Sequence, residues 1–571
     1  MQKRWVEHPV LNQEITRSLQ DSLQVDEVIA SLLVSRGIST FEEAKLFFRP
    51  DLGHLYDPFL MKDMELAILR IEKAIANQEK ILVYGDYDVD GTTSVALVYG
   101  FFKKYHKQID FYIPDRYKEG YGISTQGIDH AAENNYSLII ALDCGIKSVD
   151  KVSYANSLGV DFIICDHHLP GSTLPEAIAV LDPKRTDCEY PYKELSGCGI
   201  GFKLVQAYAQ KNDIPFEEIC CYLDLVVVSI ASDIVPITGE NRVLAWYGLQ
   251  RLNTSPCTGM SALMDVSGRK ESYTVTDIVF TIGPRINAAG RIDDAKHAVN
   301  LLIAEDHASA RDKGLLINLK NTERKEHDLS ITEQALAMID EDPALIAKKT
   351  TVVFNENWHK GVIGIVASRL TEKYYRPTIV LTQSNGHAAG SARSVRDFDL
   401  YEALSACSDL LEQFGGHKYA AGLTMKVENI PAFQQRFEEV VSGSISEEAL
   451  IQQISIDACL ELRQIQPKLI RILNQFAPFG PKNMAPVFLS KNVYHYGNAS
   501  IVGNNHLKMV VRQEDSLLFE CIGFGLGDHL QDLKKDVPFE ICYTIEENVW
   551  KDKRSIQLNL KGIRIAESSS I

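Results

Sequence analysis

Four short apolar runs, each ending on an acid, constrain this chain more than any other feature. "KILVYGD" runs into Asp86, "YSLIIALDCG" into Asp143, "VDFIICDHH" into Asp166, His167 and His168, and "AIAVLDPK" into Asp182. Helix-like segments lie between them, among them "TTSVALVYGFFKKYH" and "TQGIDHAAENN". Continuous apolar strands alternating with helices specify a parallel α/β sheet buried on both faces. Ligands of such sheets bind beyond the carboxyl ends of the strands, where all of these acids fall. An Asp after a strand is commonly a turn or cap residue, but that explanation fits four strand ends and a histidine pair poorly.

The first of these acids belongs to a denser pattern, "VYGDYDVDGTTS" (Val83–Ser94), with Asp86, Asp88 and Asp90 at alternate positions. On an extended chain the three carboxylates point to one side, and they repel unless a cation sits among them. A further acid, Asp233, follows the helical-looking run "VVVSIASDIVP". Carboxylates with one or two imidazoles suit a hard divalent cation such as Mn²⁺ or Mg²⁺, whereas thiolates would favour zinc. Cys144 and Cys165 neighbour the acids, but alternation turns them away from Asp143 and Asp166 and into the core. Two ions about 4 Å apart are the usual arrangement for in-line attack on phosphorus, which reads as a phosphodiesterase or phosphatase site.

Totals set the bounds. A chain of 571 residues exceeds one hydrophobic core and implies about three or four domains. The net charge of −17 opposes a whole-surface attraction to nucleic acid but leaves room for a local basic groove. Eleven cysteines, odd in number and without a CxxC pair, read as scattered thiols of a reducing compartment. The opening "MQKRWVEHPVLNQEITRSL" lacks the sections of a signal peptide. The most apolar stretch, "LDLVVVSIASDIVP", is short and interrupted by an acid, so it does not span a bilayer. The expectation is a cytoplasmic protein with no membrane attachment.

In chain order, "GDYDVDGTTS", "ALDCGI", "CDHHLPG" and "ASDIVP" resemble the four motifs of the DHH phosphoesterase superfamily. "PDRYKEGYGIS", "SGCGIGFKL", "TIGPRINAAGR", "GVIGIVASRL", "GSARSV" and "GGHKYAAGLTM" extend the resemblance to the RecJ family of bacterial single-strand-specific DNA exonucleases, over about residues 5–565. The resemblance implies an α/β fold with a parallel-sheet DHH phosphoesterase domain, a second α/β DHH-associated domain joined by a long helix, and a C-terminal β-barrel of the OB type. The expected organisation is an N-terminal helical segment packed on the DHH domain (1–70), the catalytic DHH domain (71–295), connecting helices (296–347) with mostly solvated charges, the DHH-associated substrate-binding domain (348–442) and a nucleic-acid-binding OB-fold (452–567). Alternating stretches such as "HLKMVVRQ" and "LLFECIGFG" give the last section its five or so short strands.

At matching positions, Asp88, Asp90, Asp143, His167 and Asp233 correspond to the family's metal ligands, with Asp88 or Asp90 shared between two ions. Asp90, Asp86 and His168 are the catalytic candidates, His168 standing near the scissile phosphate as an electrostatic stabiliser or proton donor. The loop "DRYKEGYG" combines Arg116 and Lys118 with Tyr117 and Tyr121, which suits a single strand: cations meet phosphates and rings stack on bases. By resemblance, Arg116, Ser391 and Arg393 form a pocket for a 5′ phosphate, and "GPRINAAGR" supplies Arg285, Asn287 and Arg291 as DNA contacts. His417 and Lys418 add donors for phosphate oxygens, and Trp550, His506 and Lys508 are candidates to touch DNA from the barrel. One loop departs from the family: "PFGPKNMAP" stands where members often read "PFGxGNPxP". Pro481 removes an amide and fixes φ, and Lys482 and Met484 change the loop's chemistry, so no DNA contact is assigned to it.

The activity so implied is a divalent-metal-dependent 5′-to-3′ exonuclease, degrading single-stranded DNA to mononucleotides by two-metal hydrolysis in repair and recombination. The implied partners are single-stranded DNA, a single-strand-binding protein and a RecQ-type helicase, and the implied state is a monomer. Alternatives within the superfamily are a nano-RNase or cyclic-dinucleotide phosphodiesterase, which are generally shorter, and an inactive replication scaffold, against which the full ligand set stands. An inorganic pyrophosphatase would leave the last two domains unexplained.

Overall fold

The computed structural model describes residues 3–7, 12–269, 271–533, 537–550 and 553–565, the side chains at 549, 550, 553 and 554 excepted. It comprises two compact units, one of Tyr56–Val235 with Tyr247–Gln452 and one of Met1–Leu55 with Pro236–Trp246 and Gln453–Ile571.

The first unit is built on β1 (Lys80–Gly85), β2 (Ile109–Tyr112), β3 (Tyr136–Leu142), β4 (Asp161–Cys165) and β5 (Ala179–Leu181), in the order β2-β1-β3-β4-β5. Every pairing is parallel. β1, β3 and β4 are buried along almost their whole length, which is why their apolar runs are continuous in the sequence. β2 was not singled out by sequence: as an edge strand it buries only Ile109, so it carries little apolar signal. Because the sheet is parallel, Asp86, Asp143, Asp166 and Asp182, each directly after its strand, share one edge.

The chain does not stay extended beyond Asp86. Asp88 caps helix α1 (Val89–Phe102), its Oδ1 accepting from the Gly91 N–H at 3.0 Å, and Asp90 lies in the first helical turn. The same-side argument for the three acids is therefore corrected: a strand-to-helix turn brings them together, not a two-residue repeat. Gly91 permits this turn, since a Cβ there would lie 2.4 Å from the Asp86 carbonyl oxygen. Helices α2 (Gly197–Lys211) and α3 (Leu223–Ser232) pack on α1, and all three are buried over most of their length.

Helix α4 (Gly283–Ile292) precedes the long α5 (His307–Asp340), which leads to the second sheet. Most charges on α5 are solvated as expected, but Asp328 is buried and holds Arg369 through two bonds of 2.9 and 2.8 Å. The second sheet contains β6 (Thr351–Phe354), β7 (Thr378–Ser384), β8 (His387–Arg393), β9 (Gln413–His417) and β10 (Ala420–Lys426). Its order is β9-β10-β8-β7-β6, antiparallel except for the β6–β7 pair. Helix α6 (Ile363–Tyr374) packs on β7 and β8.

In the other unit, Phe488–Val502, His506–Arg512, Phe519–Gly523, Lys553–Ile565 and Phe539–Trp550 close into a five-stranded barrel in that order. The first, fourth and fifth of these strands run to 15, 13 and 12 residues, longer than their sequence pattern suggests. The helices Gln13–Leu23, Glu27–Val34 and Phe41–Phe48 belong to this unit. Leu19, Ile29 and Leu33 share one core with Phe488, Val511 and Leu558. Through Leu55 the segment belongs to the barrel's unit, and from Tyr56 onward to the sheet's. Apolar helix faces at the chain start show that burial occurs, not against which domain.

In the altered loop, Lys482 is exposed and held at φ 62°, where the family pattern has glycine. A left-handed residue other than glycine is strained. Lys482→Gly is expected to stabilise the barrel unit by about 0.5–1 kcal/mol, read as a higher denaturant midpoint at unchanged slope. Among the described residues, no helix is long and apolar enough to cross a membrane.

Candidate metal centre and phosphate pocket

Three groups of side chains could each hold a cation at the carboxyl edge of the first sheet: Asp86, Asp88 and Asp143; Asp90, His167 and Asp233; Asp143, His167 and His168. Within each group the donor atoms lie within 4.8 Å of one another. His167 Nε2 is 3.2 Å from Asp143 Oδ1, 3.5 Å from Asp233 Oδ2 and 3.7 Å from Asp90 Oδ2. All seven residues assigned to the metal and catalytic set from sequence thus meet at one place.

Burial makes the cluster costly without a cation. Among the described residues, both oxygens of Asp86, Oδ1 of Asp143 and both ring nitrogens of His167 are buried without a hydrogen-bond partner. Desolvation, and then the charge of Asp88, pushes the Asp86 carboxyl well above its usual range. Burial followed by Asp90 and Asp88 does the same for Asp143 and for Asp233. A divalent ion removes both penalties, and an all-oxygen set completed by imidazole is the donor chemistry of Mn²⁺ and Mg²⁺. The residues present therefore fit the expected metals. Asp143 is the acid common to two of these groups. Asp90 is more heavily engaged by protein donors: its carboxylate accepts from Gly197 N–H (2.7 Å), Cys198 N–H (2.8 Å) and Ser229 Oγ (2.7 Å).

The two amide donors come from the N-terminus of α2, a place that favours negative charge. The motif "SGCGIGFKL" carries them, yet no residue of it was assigned from sequence, because a backbone N–H leaves no mark on side-chain identity. Gly197 is required at this point, since a Cβ would sit 2.7 Å from Asp143 Cβ. Gly197→Ala is expected to weaken Mn²⁺ binding about 10-fold or more by displacing Asp143, measurable by titration with paramagnetic detection.

Asp166, read from sequence only as an acid at a strand end, positions the histidine pair. Its Oδ1 accepts from the His167 N–H (2.8 Å) and the His168 N–H (3.1 Å), and pairs with His168 Nδ1 at 2.8 Å. Its Oδ2 accepts from the Ile146 N–H at 2.9 Å. Burial opposes charge on His168, but the Asp166 bond and charge outweigh it and raise that pKa to about 9. His168 keeps Nε2 for a further partner. Cys144 and Cys165 are buried core residues, as expected.

Beside the centre, Arg116, Tyr121, Arg291, Lys360, Ser391 and Arg393 line a cavity of about 470 Å³. Arg393 Nη1 donates to Ser391 Oγ (3.1 Å) and to the Ala392 carbonyl (2.8 Å), while Arg291 Nη1 donates to the Gly361 carbonyl at 3.1 Å. Tyr117 donates its hydroxyl to the Arg291 carbonyl. Burial, then the charges of Arg116, Arg324 and Arg393, push the Arg291 pKa down to about 10. Burial and then Arg116 likewise lower that of Arg393. Cations crowded in this way suit an anion of high charge. Rings connect pocket to centre: Arg116 lies 4.8 Å over Tyr87, Tyr87 is 5.9 Å from Tyr121, and Tyr121 is 6.4 Å from His168.

Other sequence candidates fall elsewhere. Arg285 is buried, its Nε on Asn318 Oδ1 (3.0 Å) and its Nη1 on the Thr281 carbonyl (2.7 Å). It ties α4 to α5 and is not among the pocket's lining residues. Asn287 is half-buried on α4 and also does not line the pocket. His417 is exposed at the end of β9, near enough for Arg393 to lower its pKa after burial. Lys418 is exposed over the Tyr419 ring. On the barrel, Lys508 is exposed and His506 packs its ring 5.1 Å from that of Phe524. The side chain of Trp550 lies outside the described residues.

Comparison with known proteins agrees with this geometry. Residues 80–230 match the N-terminal domain of the DHH family, 347–443 the DHHA1 domain and 456–562 the RecJ OB domain. The single-stranded-DNA-specific exonuclease RecJ of Bacillus subtilis is 39% identical over 99% of this chain and 71% of its own length. That of Escherichia coli is 30% identical over 96% of this chain and 98% of its own. The crystal structure of RecJ from Thermus thermophilus in complex with Mn²⁺ superposes with a TM-score of 0.84 at 27% identity, covering 99% of this chain and 80% of that one. A structure of the same protein with Mg²⁺ gives 0.79 at 26% identity, over 99% and 79%. A cation centre at the edge of a DHH sheet, an associated DHHA1 sheet and a RecJ OB barrel, with such identity to RecJ along nearly the whole chain, show that this chain belongs to the RecJ family of DHH phosphoesterases.

Proposed function

We propose that the chain is a divalent-metal-dependent exonuclease that removes mononucleotides from the 5′ end of single-stranded DNA. The observation that carries this reading is the joining of an acidic cation centre to an arginine pocket through Tyr121, which lines the pocket and packs its ring 6.4 Å from His168. A 5′ phosphate held by Arg116, Arg291, Ser391 and Arg393 would set the next phosphodiester at the centre, so that each cut shortens the strand by one nucleotide. Asp88, Asp90, Asp143, His167 and Asp233 would hold the ions, with Asp86 beside them. When bound, the pair supplies an activated water and stabilises charge on the attacking and leaving oxygens. His168, oriented by Asp166, would donate Nε2–H to a phosphate oxygen. Tyr121 adds a ring on which a base can stack.

The same reading assigns the enzyme to DNA repair and recombination in the cytoplasm, as a monomer. Family resemblance supports a RecQ-type helicase as the source of unwound strand and a single-strand-binding protein as a second partner.

The test is digestion of a strand labelled at its 3′ end and phosphorylated at its 5′ end, with Mn²⁺ present and products sized on a denaturing gel. The expected result is a ladder shortening in single steps from the 5′ end. Immediate loss of the labelled terminal nucleotide would reverse the polarity and remove the role of the pocket. Tight binding without cleavage would favour a scaffold, and equal turnover of dinucleotides would favour a nano-RNase.

A further inference from the structure

Two apolar side chains stand in solvent directly after residues of the centre. Leu169 follows His168 and is 70% exposed, and Ile234 follows Asp233 and is 64% exposed. Covalent geometry keeps each Cα about 3.8 Å from that of its neighbour in the centre. The two segments converge there, because His167 Nε2 lies 3.5 Å from Asp233 Oδ2. Tyr121, also largely exposed and 6.4 Å from the His168 ring, borders the same place.

Ile234 is strained as well as exposed. Its φ is 60°, in the left-handed region, where a β-branched residue is an outlier. Asp233 caps the C-terminus of α3, and a glycine or asparagine after it would continue the chain without that cost. An isoleucine with its side chain in water serves neither the helix end nor the core. A second irregularity abuts the same helix end. The π-turn Ile278–Ile282 carries Phe280, which is 75% exposed. The helix that follows brings Gly283 so near α3 that a Cβ would lie 2.8 Å from Ser232 Oγ. Strain and exposed apolar surface gathered beside a chemical centre point to function rather than to folding.

We propose that Ile234, with Leu169 and Tyr121 beside it, grips the apolar faces of the sugar and base next to the scissile phosphate and thereby selects unpaired nucleotides. The inference rests on the exonuclease reading above. Around a set of carboxylates, the non-ionic parts of a nucleotide are what protein side chains can attract. An unpaired base can leave its stack and present a face to these side chains, whereas a base held by its partner strand stays stacked on its neighbour.

The test pairs one change in the enzyme with one in the substrate: Ile234→Asn, and a 5′-phosphorylated strand lacking its first two bases. Asparagine tolerates the left-handed region, so the variant should melt no lower than wild type and keep its Mn²⁺ affinity by paramagnetic titration. The KM for the normal strand should rise about 10-fold with kcat changed less than about threefold. Wild type should show a similar rise on the abasic strand, the two changes together should add little more, and Ile234→Leu should restore the original KM. An unchanged KM, or two rises that multiply, would overturn the proposal. Mn²⁺ affinity lost in step with activity would overturn it too, reducing Ile234 to a support for Asp233. If wild type cleaves no strand, the exonuclease reading fails instead, before any variant is compared.

Discussion

Asp90→Asn lowers the rate of strand cleavage by about three orders of magnitude, close to 4 kcal/mol of barrier. Asp90 is 1% exposed and lies 3.7 Å from His167 Nε2, so its charge acts on the centre with little screening by water. The substitution removes that charge and also creates a conflict. Gly197 N–H, Cys198 N–H and Ser229 Oγ–H all point at the carboxylate, and an amide nitrogen would face one of these donors with another donor. Mn²⁺ affinity should fall together with the rate, while DNA binding at the distinct arginine pocket should persist. Single-turnover rates at saturating Mn²⁺, beside a Mn²⁺ titration, measure both effects. A variant within about tenfold of wild type would make Asp90 a cap for α2 and not part of the centre.

Arg393→Gln raises the KM for 5′-phosphorylated strands by about 100-fold and leaves strands with a 5′ hydroxyl nearly unaffected. A charge-assisted bond to phosphate contributes about 1.5–3 kcal/mol, and glutamine retains a neutral donor without the charge. The guanidinium is held in place by Ser391 Oγ and the Ala392 carbonyl, so little ordering remains to be done on binding. Arg116 opposes its charge across the cavity, which a phosphate dianion would relieve. Competition between strands differing only at the 5′ end reads the effect directly. Equal losses on both would show that Arg393 supports the β8 edge rather than the phosphate.

Much of the centre was legible before folding was considered. Strands buried on both faces leave unbroken apolar runs, and a parallel sheet must align the acids that end them. Asp86, Asp143, Asp166 and the histidine pair could therefore be placed at one edge from local pattern alone. Asp88 and Asp90 were also found, though by an extended-chain argument that the turn into α1 replaces. The backbone cradle of Asp90 and the task of Asp166 were not legible, since hydrogen-bond geometry is not written in residue identity.

The pocket shows the limit most clearly. Arg285 and Arg291 belong to one motif, yet six positions separate them, about 240° around a helix. Both are arginines among small residues, and nothing local tells them apart. Packing of α4 on α5 gives Arg285 to Asn318 and leaves Arg291 to the cavity. The partner of the N-terminal helices, Asp143 as the acid common to two groups, and the left-handed turn at Ile234 were settled the same way. Sequence by itself determined the α/β sheet, the acids at its edge and the kind of cation they suit, because periodicity and side-chain chemistry are local. Only the tertiary structure decided which donors face the acids, which arginine enters the pocket and where strain is held, because each depends on residues far apart in the chain meeting at hydrogen-bond distance.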